Sequence, residues 1–435
     1  MRLFTALLIY RLLLPLLFLA AFPGWIVKML RRGGWGSHLA ERVACYSTPP
    51  HTEPRRAVHV HAVSLGESLL ALKLIRAWLA REPARRFVLA TATATGHAVA
   101  SAAAIPGLRV TYAPLDFPSM VRRYLGRFEP AQIVLIEGEA WPYLLFACRD
   151  RQIPVSLVNA RLSPRSARRY RRAAAWVRPL FSLLQAVAIQ EPEDESIWQI
   201  LGVPPGRIHH TGSLKFDPGA APLPGQRPDF QQLIAAFGRP RPVILAASTH
   251  AGEDAWIARA IRTAVPNALP VIVPRHAERR AEARNDLQRA GFTVLLRSQA
   301  LPLSKMAAPG EPCPVLLIDS TGELRDWTSH ADVVIIGKSF LASGGQNPTE
   351  AILAHKPVIC GPHMENFEPL AAQLTAAHGC LRAHDPAELS RAILTALDPQ
   401  CAAALTRNAS QVLVRHAGAT QRILTLLTPL SSPEK

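Results

Sequence analysis

The stretch AVHVHAVSLGESLLALKLIRAWLA, residues 57–80, decides the fold class of this 435-residue chain. Residues 57–63 are apolar apart from two histidines, and they predict a buried strand. A turn containing Gly66 follows, and apolar residues then recur at helical spacing from Leu69 to Trp78. Residues 87–95 predict the next strand. A strand, a helix and a strand in this order are typical of a parallel sheet covered by helices.

The same alternation continues along the chain in two series. The further predicted strands are residues 132–137, 155–160 and 186–190 in the first series, and 243–247, 271–273, 293–296, 315–319, 333–337 and 358–360 in the second. Between the series lies a stretch rich in proline and glycine, which is typical of a linker. We therefore expect an α/β protein with two Rossmann-like domains and a ligand site in the cleft between them.

These patterns predict four segments with explicit boundaries. Residues 1–33 form a membrane anchor, residues 34–217 a first Rossmann-like domain, residues 218–230 the linker, and residues 231–435 a second Rossmann-like domain. The anchor is borderline in length, because residues 12–27 are uncharged and a span needs about 20 apolar residues. It could cross the membrane or lie in its interface, and a buried amino-terminal helix is the alternative.

Charge and cysteine content narrow the class of partner. The formal net charge is +17, which favours an anionic partner such as a lipid surface or a phosphorylated substrate. Nucleic acid is disfavoured, because aromatic residues make up only 6% and no zinc-finger spacing is present. Residues 151–190 hold eight arginines and no acidic residue, which indicates either a solvated face or a surface for lipid or acceptor phosphate. The six cysteines are scattered, so we expect a reducing, cytoplasmic compartment.

Several candidate residues follow predicted strands. Glu67 comes after the first strand, where a carboxylate could act as a general base, although it could equally complement the helix dipole. Glu137 and Glu139 follow another strand and suit acid/base or metal chemistry, or one of them a structural role. Lys215, just before the linker, could meet a phosphate or a developing negative charge, unless it is simply solvated. Arg275, after Pro274, suits an anionic or planar ligand, with an exposed loop position as the alternative.

Two further stretches combine glycine with a helix start. Residues 320–323 (Ser-Thr-Gly-Glu) and 344–350 (Gly-Gly-Gln-Asn-Pro-Thr-Glu) both match capping boxes, with Ser320 or Asn347 as the N-cap. Pro348 then takes the first helical position. Backbone N–H groups at such helix starts also bind phosphate. Neither stretch is a GxGxxG or a P-loop sequence, so neither NAD nor ATP is indicated.

Each of these signals is weak alone, but their order along the chain is specific. An apolar amino terminus is followed by the motifs HxVSxGE, ExExWP, NARLS, TGSLKFD, STH, PRH, TGEL and GGxNPxE. From about Leu3 to Pro429, the chain resembles the 3-deoxy-manno-octulosonic acid (Kdo) transferases of Gram-negative bacteria. Departures from the pattern are Lys338 where Gly is usual, Gln346 where His is common, and residues 318–321, which replace the commoner Gly-Asp-Thr-Met.

The resemblance implies a GT-B glycosyltransferase at the cytoplasmic face of the inner membrane. It also implies that the domain of residues 34–217 binds the acceptor and the domain of residues 231–435 binds the CMP-sugar. Such an enzyme would transfer Kdo from CMP-Kdo to a lipid A precursor without a metal or other cofactor. By similarity, Glu67 is the base, and Glu137 and Lys215 stabilise the transition state. Residues matching the CMP-binding segments are Pro274, Arg275, Thr321, Gly322, Glu323, Asn347, Pro348, Thr349 and Glu350. A UDP-sugar donor, or a non-catalytic protein that binds anionic lipid, are the alternatives.

Overall fold

A computed structural model of the chain describes residues 3–31, 39–138, 140–217, 226–238, 241–299 and 313–431. These residues form two compact units. The first unit comprises Met1–Gly219 and His416–Lys435, and the second comprises Ala220–Arg415. Residues 218–225 of the predicted linker lie outside the described residues, and residues 228–230 already belong to a helix. The predicted linker therefore ends too late.

The first unit is built on a parallel sheet. Its strands are β1 (Val58–Ala62), β2 (Phe87–Thr91), β3 (Leu108–Tyr112), β4 (Gln132–Ile136), β5 (Val155–Ala160), β6 (Ala186–Ile189) and β7 (Ile208–His210). Within the described residues their order is β3-β2-β1-β4-β5-β6-β7. β1, β2 and β4 are buried throughout, as expected when helices cover both faces. The strand order reverses between β1 and β4, and ligands bind beyond the carboxyl ends of strands at such a point.

Helix α1 (Leu3–Arg31) precedes the first strand. The helices that connect the strands are α2 (Leu65–Arg81), α3 (Ala94–Ala102), α4 (Pro118–Phe128), α5 (Pro142–Asp150), α6 (Pro164–Arg172), α7 (Ala174–Phe181) and α8 (Glu195–Ile200). The apolar stripe of α2 packs on the sheet, where Leu74, Ile75 and Trp78 are fully buried. Full burial of such side chains stabilises each by about 1.5–3 kcal/mol, so this stripe fixes α2 over β1.

The second unit is also built on a parallel sheet with helices packed against it. Its strands are β8 (Val243–Thr249), β9 (Leu269–Pro274), β10 (Val294–Leu296), β11 (Val315–Leu317), β12 (Val333–Ile336), β13 (Val358–Cys360) and β14 (Leu381–Arg382), in the parallel order β10-β11-β9-β8-β12-β13-β14 within the described residues. Its helices are α9 (Pro228–Ala236), α10 (Glu253–Ala264), α11 (Arg280–Arg289), α12 (Leu324–His330), α13 (Thr349–Leu353), α14 (Leu370–Ala376), α15 (Pro386–Leu397) and α16 (Pro399–Val414). The prediction of two parallel α/β domains is confirmed.

The end of the chain belongs to the first unit, which corrects the predicted domain boundary of 231–435. Helix α17 (Ala419–Ser431) buries Ile423, Leu424 and Leu427 in the apolar cluster that also contains the stripe of α2. An apolar stripe at helical spacing can pack on either sheet, so the sequence pattern of α17 does not say which sheet it covers.

Helix α1 exposes much of its apolar surface. Leu12, Leu16 and Leu19 are 65%, 64% and 65% exposed, while the ring of Tyr10 packs against Tyr143 of α5 with centroids 5.5 Å apart. In the described ranges, no helix has both the length and the apolar character needed to cross a membrane. Of the two forms predicted for the anchor at residues 1–33, the membrane-spanning one is therefore not supported, and the interfacial one stays a prediction.

Candidate active site

Glu67 lies in the first turn of α2, directly after the carboxyl end of β1. The Ser64 hydroxyl accepts a hydrogen bond from the Glu67 N–H (3.2 Å) and donates one to Glu67 Oε1 (2.8 Å). Glu67 Oε2 accepts a hydrogen bond from the Val63 N–H (2.8 Å). These contacts are close to a capping box, so the structural role considered for Glu67 is present.

The same contacts hold the Glu67 carboxylate in one orientation. The residue is only 8% exposed, and each oxygen accepts one hydrogen bond. A carboxylate offers about four acceptor positions, so capacity remains for a further donor. A carboxylate that is fixed at a strand end and still able to accept a proton meets the geometric requirement for a general base.

Glu137 follows β4, the strand beside β1, and it adopts a left-handed backbone conformation with φ of 66°. Burial raises the pKa of Glu137, and the negative charge of Glu67 raises it further. Lys215 and Arg161 act in the opposite direction and lower it. Because these charge effects require proximity, Glu137 lies near Glu67, Lys215 and Arg161. Its predicted neighbour Glu139 lies outside the described residues.

Lys215 sits in the segment Thr211–Asp217, which follows β7. Burial lowers the pKa of Lys215, the nearby Glu137 carboxylate raises it, and Arg161 lowers it. The structure thus gathers the three predicted catalytic residues of the first unit into one charged cluster: Glu67, Glu137 and Lys215.

Two residues of the NARLS motif join this cluster without having been predicted as site residues. Asn159 is 1% exposed, has φ of 54°, and its Oδ1 accepts a hydrogen bond from the Leu214 N–H (2.9 Å). Arg161, two residues on, adds positive charge beside Glu137 and Lys215. The motif itself was the available signal, but the left-handed turn at Asn159 that directs its side chain is visible only in the fold.

In the second unit, the buried carboxylate of Glu253 connects the loops that follow two of the strands. Glu253 is fully buried at the start of α10. It accepts hydrogen bonds from the backbone N–H groups of His250 (2.9 Å), Lys338 (2.6 Å) and Phe340 (3.1 Å). It therefore ties the loop after β8 to the loop after β12, which leads to the Gly-Gly motif of residues 344–350. The motifs in the sequence do not indicate this role, because the bonds of Glu253 reach residues 85 and 87 positions away.

The predicted nucleotide-binding residues fall into two groups. The first is centred on Glu350: burial raises the pKa of its carboxyl group, and the positive charges of Arg325 and Arg275 lower it. Glu350 therefore lies near Arg275, the residue after β9. Asn347 Oδ1 accepts a hydrogen bond from the Thr349 N–H (3.0 Å).

Helix α13 begins one residue later than predicted. Pro348 takes the N-cap position, and Thr349 is the first helical residue. The helix bound is thus one residue later than predicted, but Pro348 already has helical backbone angles and Asn347 Oδ1 accepts the bond expected of an N-cap. The Asn347 side chain still bonds to a backbone N–H group at this helix start, so the physical role expected for it is retained.

The second group, Thr321, Gly322 and Glu323, precedes α12. Glu323 takes the N-cap position itself, so the predicted capping box with Ser320 as the N-cap does not form. Instead the Ser320 hydroxyl donates directly to Glu323 Oε2 (2.5 Å), and Arg297 Nε lies 3.4 Å from the same oxygen. Gly322 has φ of 85°, a left-handed turn that delays the start of the helix.

Among the described residues, no group of three or more His, Cys, Asp or Glu side chains is placed to hold a metal ion.

Comparison with known proteins assigns the family. Residues 37–218 match the family model described as 3-Deoxy-D-manno-octulosonic-acid transferase (kdotransferase). The 3-deoxy-D-manno-octulosonic acid transferase of Bordetella pertussis is 37% identical over 421 residues, covering 93% of this chain and 94% of the relative. That of Haemophilus influenzae is 32% identical over 396 residues, covering 90% and 91%.

A solved structure, the glycotransferase of kitacinnamycin, matches with a TM-score of 0.52 at 16% identity and covers 86% of this chain and 99% of that one. The two parallel α/β domains therefore resemble those of GT-B glycosyltransferases. The relatedness over nearly the whole sequence confirms the resemblance drawn from the motifs. The chain belongs to the 3-deoxy-D-manno-octulosonic acid (Kdo) transferase family.

Proposed function

We propose that the protein transfers Kdo from CMP-Kdo to a lipid A precursor, a bisphosphorylated and acylated glucosamine disaccharide, with inversion at the anomeric carbon. The observation that carries this proposal is the charged cluster of Glu67, Glu137 and Lys215 at the strand ends of the first unit. Membership of the Kdo transferase family supports the choice of sugar.

Glu67 is the proposed base. It takes the proton from a sugar hydroxyl of the acceptor while that oxygen forms a bond to the anomeric carbon of Kdo. The bond from this carbon to the phosphate oxygen breaks, and CMP leaves with the electron pair. Attack from the face opposite CMP inverts the configuration. A well-placed general base contributes about 10²–10⁴-fold to the rate.

Glu137 and Lys215 are proposed to stabilise the transition state. The Lys215 ammonium group offsets the negative charge that develops on the departing phosphate. The neighbouring Glu137 carboxylate raises the pKa of Lys215 against the effect of burial, which helps to keep that ammonium group charged. Burial of both groups strengthens these interactions, because the effective dielectric constant is lower there than in water.

The second unit is proposed to bind CMP. Arg275 would contact the cytidine side of the donor and Glu350 the ribose hydroxyls, while Asn347, Pro348 and Thr349 at the start of α13 would lie beside the phosphate. Thr321, Gly322 and Glu323 complete the CMP site in this proposal. The leaving group is a monophosphate, which cationic side chains and backbone N–H groups can stabilise without a metal, so we propose no metal and no cofactor.

We also propose that the protein works at the cytoplasmic face of the inner membrane, in contact with anionic lipids, and that it does not bind nucleic acid. The exposed leucines of α1 suit a position in the membrane interface. The exposed arginines of α6 suit anionic headgroups: Arg165, Arg168, Arg169, Arg171 and Arg172.

Thermal melts with nucleotides test the donor assignment. Binding to the folded state alone stabilises a protein by about 2.7 kcal/mol when the ligand is at 100 times its Kd. We expect CMP to raise the melting midpoint and UDP at the same concentration to leave it unchanged. A shift with UDP and none with CMP would overturn the choice of CMP-Kdo in favour of a UDP-sugar.

A further inference from the structure

The segment that carries Lys215, Thr211–Asp217, is held by the far end of the chain. The Ser213 N–H donates a hydrogen bond to His416 Nδ1 (3.2 Å), a residue 203 positions away. Asp217 Oδ1 and Oδ2 accept hydrogen bonds from the N–H groups of Gly418 (3.0 Å) and Thr420 (2.7 Å). We call residues 416–422 the return segment.

Further bonds complete the attachment. Arg422 Nε and Nη2 both donate to the Thr211 carbonyl oxygen (3.0 and 2.8 Å). Lys73 lies on α2, the same helix as Glu67. Its Nζ donates hydrogen bonds to the carbonyl oxygens of Leu214 (2.8 Å) and Asp217 (2.5 Å). The segment of residues 211–217 has no regular secondary structure of its own. Its hydrogen bonds nevertheless attach the residues on both sides of Lys215 to the return segment and to α2.

Within the return segment, the side chains of His416 and Arg422 bond to residues 211–217, and His416 is the more deeply buried of the two. It has no solvent exposure, and its ring packs against Phe216 with centroids 5.3 Å apart. Nδ1 accepts a hydrogen bond from the Ser213 N–H, so Nδ1 itself carries no proton and the ring proton is on Nε2. Nε2 lies 3.6 Å from Glu191 Oε1, and a carboxylate beside Nε2 favours this tautomer.

We propose that the return segment is a positioning element for the transfer reaction, and that His416 acts in it by holding the backbone beside Lys215. The inference rests on the proposed function, in which Lys215 stabilises the transition state. A long lysine side chain is useful there only if its backbone is fixed, and a displacement of about 1 Å can cost about 100-fold in rate.

A set of variants tests this proposal. His416→Ala removes the acceptor for the Ser213 N–H, whereas His416→Asn places an amide oxygen close to the position of Nδ1. We expect His416→Ala to lower kcat by about 10-fold to 100-fold, with KM for CMP-Kdo changed by less than about twofold. His416→Asn should recover most of the rate. Thr425→Ala, an exposed change on α17 outside the return segment, is the control and should match the wild type.

Hydrogen exchange separates positioning from general loss of stability. His416→Ala should speed amide exchange in a peptide covering residues 211–217 while a peptide covering β1 stays protected. Unchanged exchange in residues 211–217 would overturn the proposal, and so would equal loss of rate in the alanine and asparagine variants. This measurement does not depend on catalysis, so it stands even if the alanine variant is inactive.

The Lys215→Ala background distinguishes failure of the inference from failure of the proposed function. If His416 acts through Lys215, adding His416→Ala to Lys215→Ala should lower the rate by no more than about twofold. An undiminished further loss would show that His416 acts independently and would refute the positioning role. A wild-type rate for Lys215→Ala alone would instead refute the role proposed for Lys215. In that case, hydrogen exchange in residues 211–217 would still show whether His416 holds this backbone in place.

Discussion

At the scale of single residues, Glu67 combines a structural contact with a proposed chemical role. Its two oxygens bond to Ser64 and to the Val63 N–H, which closes the start of α2. The same bonds remove the freedom of the side chain to rotate, so the base is oriented before the acceptor binds. The capping interaction and catalysis therefore use one geometry rather than competing for it.

Glu67→Gln separates these two roles. Glutamine also suits this capping position, so the melting midpoint should fall by only a few degrees, but an amide cannot take a proton from the acceptor. We expect kcat to fall by about 10²–10⁴-fold. The control is Glu129→Gln, an exposed glutamate in the same unit. A correctly folded Glu67→Gln enzyme that turns over near the wild-type rate would show that Glu67 is not the base.

The sequence could predict a residue when its role depends on its neighbours in the chain. Glu67 follows a strand and stands three residues after Ser64, so its position at a helix start was readable. The motif predicts no individual role for Asn159 or Arg161. Their roles depend on a left-handed turn within β5 and on contact with a segment more than 50 residues away. Lys215 could be named but its partners could not, since Arg161 and Glu137 come from other strands.

At the scale of elements, β1 carries two buried histidines on the face that packs against α4. His59 Nδ1 lies 2.7 Å from the Tyr124 hydroxyl, and His61 Nε2 lies 3.3 Å from the same oxygen. Burial lowers the pKa of His61 to about 4 and holds the pKa of His59 well below its usual value. Both histidines are therefore neutral in the folded protein at neutral pH.

This pair predicts a loss of stability in mild acid. An unfolded histidine takes up its proton near pH 6.5, while folded His61 resists protonation down to about pH 4. The unfolded state binds more protons in this window, so the free energy of unfolding should fall as pH drops, by up to about 1.4 kcal/mol per pH unit for each proton.

Denaturant unfolding measured at several pH values checks this expectation. The slope between pH 6.5 and 4 should be smaller in His61→Gln than in the wild type, provided that the variant folds. The control is His51→Gln, which replaces an exposed histidine and should keep the wild-type slope. Equal slopes in His61→Gln and the wild type would refute the assignment.

Which elements the sequence could predict follows from their burial. The strands β1, β4 and β5 are buried along their whole length, and their predicted bounds agree with the structure within one residue at each end. β3 and β7 were not among the predicted strands. β3 includes Arg109 and is only half-buried over its first three residues, and β7 has three residues, two of them histidine. An edge strand needs less apolar surface, so its pattern is weaker.

At the scale of the whole molecule, charge and exposed apolar surface support the proposal that the protein works at a membrane. The net charge of +17 is accompanied by exposed leucines on α1 and exposed arginines on α6. The sequence indicates both features through the uncharged run of residues 12–27 and the arginine-rich stretch of residues 151–190. It could not predict that the chain end returns to the first unit, because that depends on the bonds between Asp217 and the backbone at Gly418 and Thr420.

Membrane attachment can be tested by changing exposed leucines. Replacing Leu12 and Leu16 with glutamate should reduce co-sedimentation with liposomes containing anionic lipid by about tenfold or more, because charged groups are costly in the interface. The control is Leu394→Glu, since Leu394 is 53% exposed on α15 of the second unit. Unchanged sedimentation of the double variant would exclude α1 as the attachment site.

Mass spectrometry of the reaction product tests the central claim most directly. The purified protein is incubated with CMP-Kdo and the lipid A precursor, and the acceptor mass is measured before and after reaction. We predict a mass increase equal to one or more whole Kdo residues, with one CMP released for each. An acceptor whose mass stays unchanged with CMP-Kdo, while a UDP-sugar modifies it, would contradict the proposed donor and reaction.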